Sequence, residues 1–477
     1  MFERRDVWTL SNENPWHPIL EWYARAVRDL QSRDGTTFED PTCWRYFAEV
    51  HGADLPEGNW PAGVKWDECQ HGSWYFLPWH RIYLYHFEST LRRRIIALGG
   101  PADWALPYWN YSDASNPDAL RLPPAFTATT MSDGTANPLR IEERVPELNN
   151  GASINPAAVS LQVLTNERRF SVNGAGGFGG PATGWHHDGG IVGALEGVPH
   201  GAVHMEVGGV NPPGFMSSFV TAGRDPIFWL HHSNIDRLWQ VWLDMAGGRT
   251  NPAQGAWLGM KFTIGSGANV TTLQVQDVVD STAPPLQYRY TKIGVPGMLA
   301  ASAASSPVKT MSTGAFMEDV PPEMLGATAG PIPLGAQRTH VVVPVTAPHS
   351  ASAGLLSLNA EPHVYVKVEN VTGTRPSAGM YRVYLNLPTT PNAGDHAERQ
   401  IGEVSTFGVP EASQVGRRHD GSGLTFSFDV SELASRLKAA GEWNEEEVHV
   451  TFDPVPDAAG RVHEGDVSAG RVSVYHE

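Results

Sequence analysis

Cysteine is nearly missing from this chain: 477 residues contain two, Cys43 and Cys69. Two thiols cannot staple a fold, so folding has to rest on packed cores rather than on a disulfide framework. Long apolar runs are missing as well. No stretch is apolar enough over ~18 residues to span a bilayer, and the opening M-F-E-R-R-D-V-W-T-L-S lacks an apolar signal region. Positive charge is in deficit, with 34 Lys and Arg against 51 Asp and Glu and a formal net charge of −17. That balance disfavours nucleic acid and anionic membranes as partners. Together these absences lead to the expectation of a cytoplasmic protein. Aromatic residues, by contrast, are plentiful, including 16 Trp and 17 Phe. The length predicts more than one domain.

Histidine carries the chemistry. In E-G-V-P-H-G-A-V-H-M-E-V-G-G, His200 and His204 stand four apart among helical neighbours, so both imidazoles leave one helix face about a turn apart. That spacing lets two neutral nitrogens grip one ion. A second helix, starting near Asp225 in D-P-I-F-W-L-H-H-S-N-I-D-R-L-W, brings His231 and His232 within reach. Upstream, W-R-Y-F-A-E-V-H ends in His51, and E-C-Q-H-G-S-W-Y-F-L-P-W-H supplies His71 and His80. Neither set needs a carboxylate or thiolate ligand. Imidazole-only sets suit copper, zinc, iron or nickel, and three nitrogens leave positions open for chemistry. Zinc hydrolases place a glutamate beside the first histidine of such a pair, whereas His200 is followed by Gly201, Ala202 and Val203. Copper is therefore the favoured metal, as two ions facing each other across dioxygen.

The order H-x(19)-H-x(8)-H, then H-x(3)-H, then the D-P-I-F-W-L-H-H-S-N-I-D-R-L-W block resembles the type-3 copper family of tyrosinases, catechol oxidases and molluscan haemocyanins. The likeness spans roughly the first three fifths of the chain. It implies a mainly α catalytic domain in which a four-helix bundle holds two copper ions, with dioxygen as co-substrate. His51, His71 and His80 would bind one copper, and His200, His204 and His232 the other, leaving His231 as a neighbour behind the ligands. The resemblance also implies a thioether from Cys69 to His71, with Cys43 a buried free thiol. Glu196 matches the family's glutamate that holds a water near copper and assists phenol deprotonation. Gly201 stands where tyrosinases often carry an asparagine, which favours diphenol oxidation over monophenol hydroxylation. Phe219, thirteen residues before His232, corresponds to a bulky gate, and Met205 to a position shaping the entrance. Asp236 is expected to accept a proton from a ligand histidine or to brace Arg237. His17, His86, His186 and His187 are expected to be packing or surface residues.

A helix is predicted to begin at Thr9 or Ser11, with Ile19, Leu20, Tyr23, Val27 and Leu30 recurring at helical spacing. A long helix is predicted after Pro78. Family likeness pairs Arg4 or Arg5 with Tyr288 and Tyr290, bringing both ends of a catalytic domain 1–295 together. Residues 296–335, rich in Ala, Ser, Pro and Gly, read as a linker. Beyond it, six period-two segments from T-H-V-V-V-P-V to R-V-S-V-Y predict an all-β, sandwich-like domain over 336–477, interrupted by one helix at Ser431–Ala440. Family members with such a domain use it as a lid.

The activity so implied is oxidation of o-diphenols (catechols) to o-quinones with O2, with monophenol hydroxylation as a weaker companion. An o-aminophenol oxidase would use the same site, and a haemocyanin-like dioxygen carrier is the alternative from another class. Partners implied are a small phenol and, for metal delivery, a copper chaperone; the oligomeric state stays open.

Overall fold

The computed structural model describes all residues except 36–39, 54–64, 173, 187–188, 292–322, 347–362, 388–395, 416–420 and 477. Four helical segments frame the first part of the chain. Trp44–His51 begins at Cys43, whose sulfur accepts the Tyr46 N–H. Phe76–Ala97 is the longest helix and starts two residues before Pro78, which is tolerated there because first-turn N–H groups have no helical partner. A kinked turn over Glu196–Gly201 leads into Ala202–Gly208, and Val198 is extended at the kink. Pro226–Asp244 completes the set. Asp225 caps it by accepting the Ile227 N–H, and Pro226 occupies the first helical position. Asp225 also takes a two-pronged, fully buried bond from Arg144, at 2.6 and 2.7 Å. The helix that carries His231 and His232 is therefore anchored at its start. No described helix is long and apolar enough to cross a membrane.

The N-terminal helix starts earlier than Thr9 or Ser11. Asp6 caps Val7–Glu13, and His17 caps a second helix, Pro18–Gln31, by accepting the Ile19 N–H on Nδ1. The missed signal is His-Pro, where an imidazole does the work usually done by Ser or Asp. Strand Phe2–Arg4 pairs in parallel with Tyr288–Tyr290. Arg4, not Arg5, is the partner: it bonds the Tyr290 hydroxyl at 2.8 Å and lies over the Tyr288 ring at 3.7 Å. Arg5 pairs instead with the exposed Glu13.

The second part consists of two sheets. One has the order Gln400–Ser405, Met380–Leu385, Glu447–Pro454, Thr339–Pro344; the other runs Leu424–Asp429, Val364–Thr372, Ser468–His476, Glu323–Ala327. All six predicted strands are present, as is the Ser431–Ala440 helix. Gln400–Ser405 escaped sequence reading because Gly402 and the buried Glu403 interrupt its alternation. The linker reading needs correction. Its residues 296–322 lie outside the described residues, but 323–327 and 332–333 are strands paired to Ser468–His476. Backbone pairing there overrides a composition that reads as flexible. Each part has its own hydrophobic core. They meet through strand Gly190–Ile191, which joins Leu424–Thr425 of the second part, and through small mixed apolar clusters.

Candidate binuclear metal centre

The four helical segments aim five histidines at one buried space, and the irregular stretch before Phe76 adds His71. His51, His71 and His80 are 0–3 % exposed, with ring centres 5.4–5.6 Å apart. His200, His204 and His232 are 0–1 % exposed, with ring centres 4.6–5.5 Å apart. The two sets face each other: His80 stacks on His232 at 4.5 Å, and His71 lies 5.9 Å from His200. His231 sits among the second set.

Backbone carbonyls fix how these rings point. Nδ1 of His51, His80, His200 and His204 lies 2.7–2.9 Å from the carbonyls of Phe219, Phe76, Glu196 and Met216. A carbonyl can only accept, so Nδ1 carries the proton and Nε2 presents its lone pair inward. The Nε2 atoms of His80 and His200 are buried without a hydrogen-bond partner. An orphaned acceptor of this kind costs free energy unless a ligand fills it. Burial, and then neighbouring imidazoles, hold His80, His200, His204 and His232 well below the usual histidine pKa. Neutral imidazole is the form a metal needs, and the donor set fits two ions.

Cys69 lies with its sulfur 3.2 Å from His71 Nδ1. Cys43 is buried, its thiol pushed up to about 12 by burial. Glu196 is 6 % exposed rather than a solvated helix-start carboxylate. Both its oxygens accept the Gly72 N–H, and burial raises its pKa to about 8. Phe219 stacks on His71 at 4.2 Å with 8° between the rings. Met205 packs with Phe219 at the same mouth. His86 is a packing residue bonded to Thr271, and His186 meets the His71 carbonyl; His187 lies outside the described residues.

The expectation for Asp236 is corrected. It touches neither a ligand histidine nor Arg237. Its carboxylate binds Arg81 at 2.6 Å, Arg4 at 3.4 Å and the hydroxyls of Tyr288 and Tyr290. Arg237 instead binds Asn234 and Asn110. Asp236 thus ties together both ends of the helical part, because the opposite charges available at its depth are those two arginines.

Phe407 is the residue the sequence could not announce. It reaches in from the second part, 5 % exposed, and stacks on His204 at 4.0 Å with 17° between rings, 4.6 Å from Phe219. Gly408 beside it has φ +79°, and a Cβ there would lie 2.2 Å from the Phe219 ring, so the loop can bring Phe407 in only with glycine next to it. Ser405 also crowds Gly201, where a Cβ would lie 2.8 Å from its Oγ. The space left between His71, Glu196, His200, Phe219 and Phe407 is about 10 Å³, roughly one water molecule's worth.

Fold and site define a class: a protein with paired histidine sets for a binuclear metal centre, capped by a β-rich part. Residues 41–245 match the family model for the common central domain of tyrosinase, and 321–477 match a domain family of unknown function. A tyrosinase from Hahella sp. (strain CCB-MM4) is 33% identical over 505 residues, covering 100% of both chains. A chloroplastic polyphenol oxidase from Malus domestica is 28% identical, covering 80% of this chain and 67% of its own length. The structure of latent apple tyrosinase has the same fold, with a TM-score of 0.66 at 22% identity, covering 100% of this chain and 97% of that one. The chain belongs to the tyrosinase family of type-3 copper proteins and is a copper-dependent oxidase of the polyphenol oxidase kind. The cytoplasmic expectation does not stand: the apple relative and those from tomato are chloroplastic by name, so membership of this family carries no cytoplasmic signature.

Proposed function

We propose that this chain oxidises o-diphenols to o-quinones, with His51, His71 and His80 holding one copper and His200, His204 and His232 the other. The observation that carries the reading is the convergence of six buried imidazoles, four of them locked by backbone carbonyls with Nε2 facing inward. When bound, the copper pair supplies dioxygen activation and accepts the two electrons taken from the diphenol.

The chain's own residues do the rest. Phe219, pinned against His71, forms a flat wall against which a phenol ring can lie. Glu196 lines the same small cavity as His71 and His200. Its raised pKa makes its carboxylate a stronger base than an ordinary glutamate, suited to taking the phenol proton. Gly201 offers no amide to orient a water there, which favours diphenols over monophenols. The Cys69–His71 approach supports a thioether that would fix the His71 ring. We take 1–295 as the catalytic domain and 336–477 as its lid, with Phe407 as the plug. The partner is a small phenol; metal delivery by a copper chaperone belongs to the same proposal.

The test is elemental copper per chain together with oxygen uptake on catechol, o-aminophenol and tyramine, before and after limited proteolysis. Two coppers and catechol turnover after cutting are expected. One copper, or reversible oxygen binding with no turnover in either state, would defeat the reading. Mass spectrometry should find the Cys69–His71 peptide two hydrogens light.

A further inference from the structure

A hollow of about 510 Å³ opens at the far end of Phe76–Ala97, the helix that carries His80. Arg93 on its wall stands thirteen residues beyond His80, roughly 20 Å of helix at about 1.5 Å per residue. The hollow is therefore no part of the metal centre. Three elements wall it: the helix, through Thr90, Arg93 and Arg94; the turn from Ser266 to Asn269 between the paired strands Lys261–Ser266 and Asn269–Gln274; and the segment Pro41–Thr42. This wall contains two arginines and no carboxylate, on a chain whose formal net charge is −17.

The three consecutive arginines at this helix end are not alike. Arg92 bonds Glu88 at 2.9 Å, and Arg94 bonds Asp29 at 2.8 Å. Arg93 has no carboxylate partner among the described residues. Its Nη2 donates to Thr90 Oγ1 at 2.9 Å and to Asn269 Oδ1. Both acceptors are neutral, and both are themselves fixed. The Thr90 hydroxyl donates to the His86 carbonyl at 2.9 Å, which leaves its lone pairs for Arg93. Asn269 Nδ2 donates to the Pro41 carbonyl at 2.7 Å, which turns Oδ1 toward the guanidinium. Nε and Nη1 of Arg93 make no hydrogen bond among the described residues. Burial lowers the Arg93 pKa, and the one group opposing it is Tyr85, not a carboxylate.

An arginine usually takes its orientation from the carboxylate it pairs with. Here neutral groups supply the orientation, so the charge stays uncompensated and the rest of the planar fork stays free, which is the arrangement that grips an oxyanion. The carboxylates nearby are already taken. Asp29 is shared by Arg33 and Arg94, and Asp40 accepts the Thr42 N–H and hydroxyl at 2.9 and 2.7 Å. Three arginines against these two acids leave the surroundings net positive. The helix C-terminus opposes an anion, but weakly and only within its last turn. Nothing lies within 4 Å of where a Gly267 Cβ would stand, so the hollow is open on the side of the turn. Its volume falls in the range of small-molecule sites, about 300–1,000 Å³.

We propose that this hollow is a second ligand site, binding a phosphate group, free or carried by a small molecule, through the fork of Arg93 with Arg94 adding charge. Two adjacent arginines favour the nearly doubly charged phosphate over a singly charged carboxylate. Binding is non-covalent, and no bond is made or broken.

The site is independent of the two-metal reading. Copper-loaded full-length protein is dialysed to equilibrium against radiolabelled inorganic phosphate, and separately against glycerol phosphate, at fixed ionic strength. Saturable binding of one phosphate group per chain is expected, and the tighter of the two probes names its source. Arg93 and Ala268 are both exposed, so substitution at either leaves the core intact. Arg93→Gln is expected to weaken binding on the order of 10–100-fold, the worth of a hydrogen bond to a charged group. Ala268→Asp, which offers Arg93 a carboxylate from the turn, is expected to weaken it about tenfold with Arg93 still in place. Catechol oxidation after proteolysis is expected to be unchanged in both variants, which shows them folded. Absence of saturable binding, wild-type affinity in Arg93→Gln, or displacement of phosphate by acetate as readily as by sulfate would overturn the proposal.

Discussion

Replacing Phe407 with alanine tests how the β-rich part governs the metal site. The ring is 5 % exposed and is wedged between His204 and Phe219. Burying a phenylalanine side chain is worth about 1.5–3 kcal/mol. Losing about 2 kcal/mol from the closed form shifts the open-to-closed ratio roughly 30-fold, at 1.4 kcal/mol per tenfold. The substitution also vacates the space over His204 in molecules that stay closed, so both effects act in one direction. Full-length Phe407→Ala should therefore oxidise catechol about 30-fold faster than full-length wild type, up to the ceiling set by proteolysed wild type. Oxygen uptake at saturating catechol reads this, with thermal melting to confirm that each variant is folded. If Phe407→Ala is as slow as wild type while proteolysis activates both alike, the plug is not Phe407 and the 4.0 Å stacking is incidental.

Further outcomes follow from the same contacts. A Cβ at Gly201 would lie 2.8 Å from Ser405 Oγ, so Gly201→Asn should raise full-length activity by loosening the closed form as well as raising tyramine hydroxylation relative to catechol oxidation. Comparing the variant before and after proteolysis separates the two effects, and an unchanged ratio after cutting removes Gly201 from selectivity. Glu403, 5 % exposed at the seam beside Glu167 and Asp429, has its carboxyl pushed up to about 7 by burial, against the pull of Arg382, Gln400 and Ser160. The closed form thus keeps a proton that an open form with an ordinary carboxyl releases between about pH 4.5 and 7. Raising the pH through that window weakens closure, by roughly 3 kcal/mol at most. Activity of the full-length protein, normalised to proteolysed protein, should climb from pH 5 to 7.5, and Glu403→Gln should flatten the climb. Asp236→Ala strands Arg81 in the interior, while Arg4 keeps its ion pair with Glu88, and should cost about 3–5 kcal/mol in a denaturant melt; a loss below 1 kcal/mol would show that the network contributes little.

The candidate ligand histidines were legible because such chemistry leaves a mark on spacing. Two histidines four apart must share a helix face, and Asp-Pro marks where the helix of His231 and His232 begins. Period-two alternation likewise announced six strands, since a strand with one buried face can hide its pattern only by breaking it, as Gly402 and Glu403 do. Arg4 and Arg5 could not be told apart in the sequence. Neighbours in a short strand point opposite ways, and only the pairing with Tyr288–Tyr290 decides which is inside. Asp236 was misassigned for the same reason: helical position gives its face, not the charges waiting there.

Sequence alone determined that this chain carries two histidine sets fit for copper, because ligand identity and helical periodicity are local properties. Only the tertiary structure decided that Phe407, some 200 residues beyond His204, closes over them, and that Asp236 joins Arg4 to Arg81. Those are relations between elements distant in the chain, set by how two cores pack together, and no local pattern encodes them.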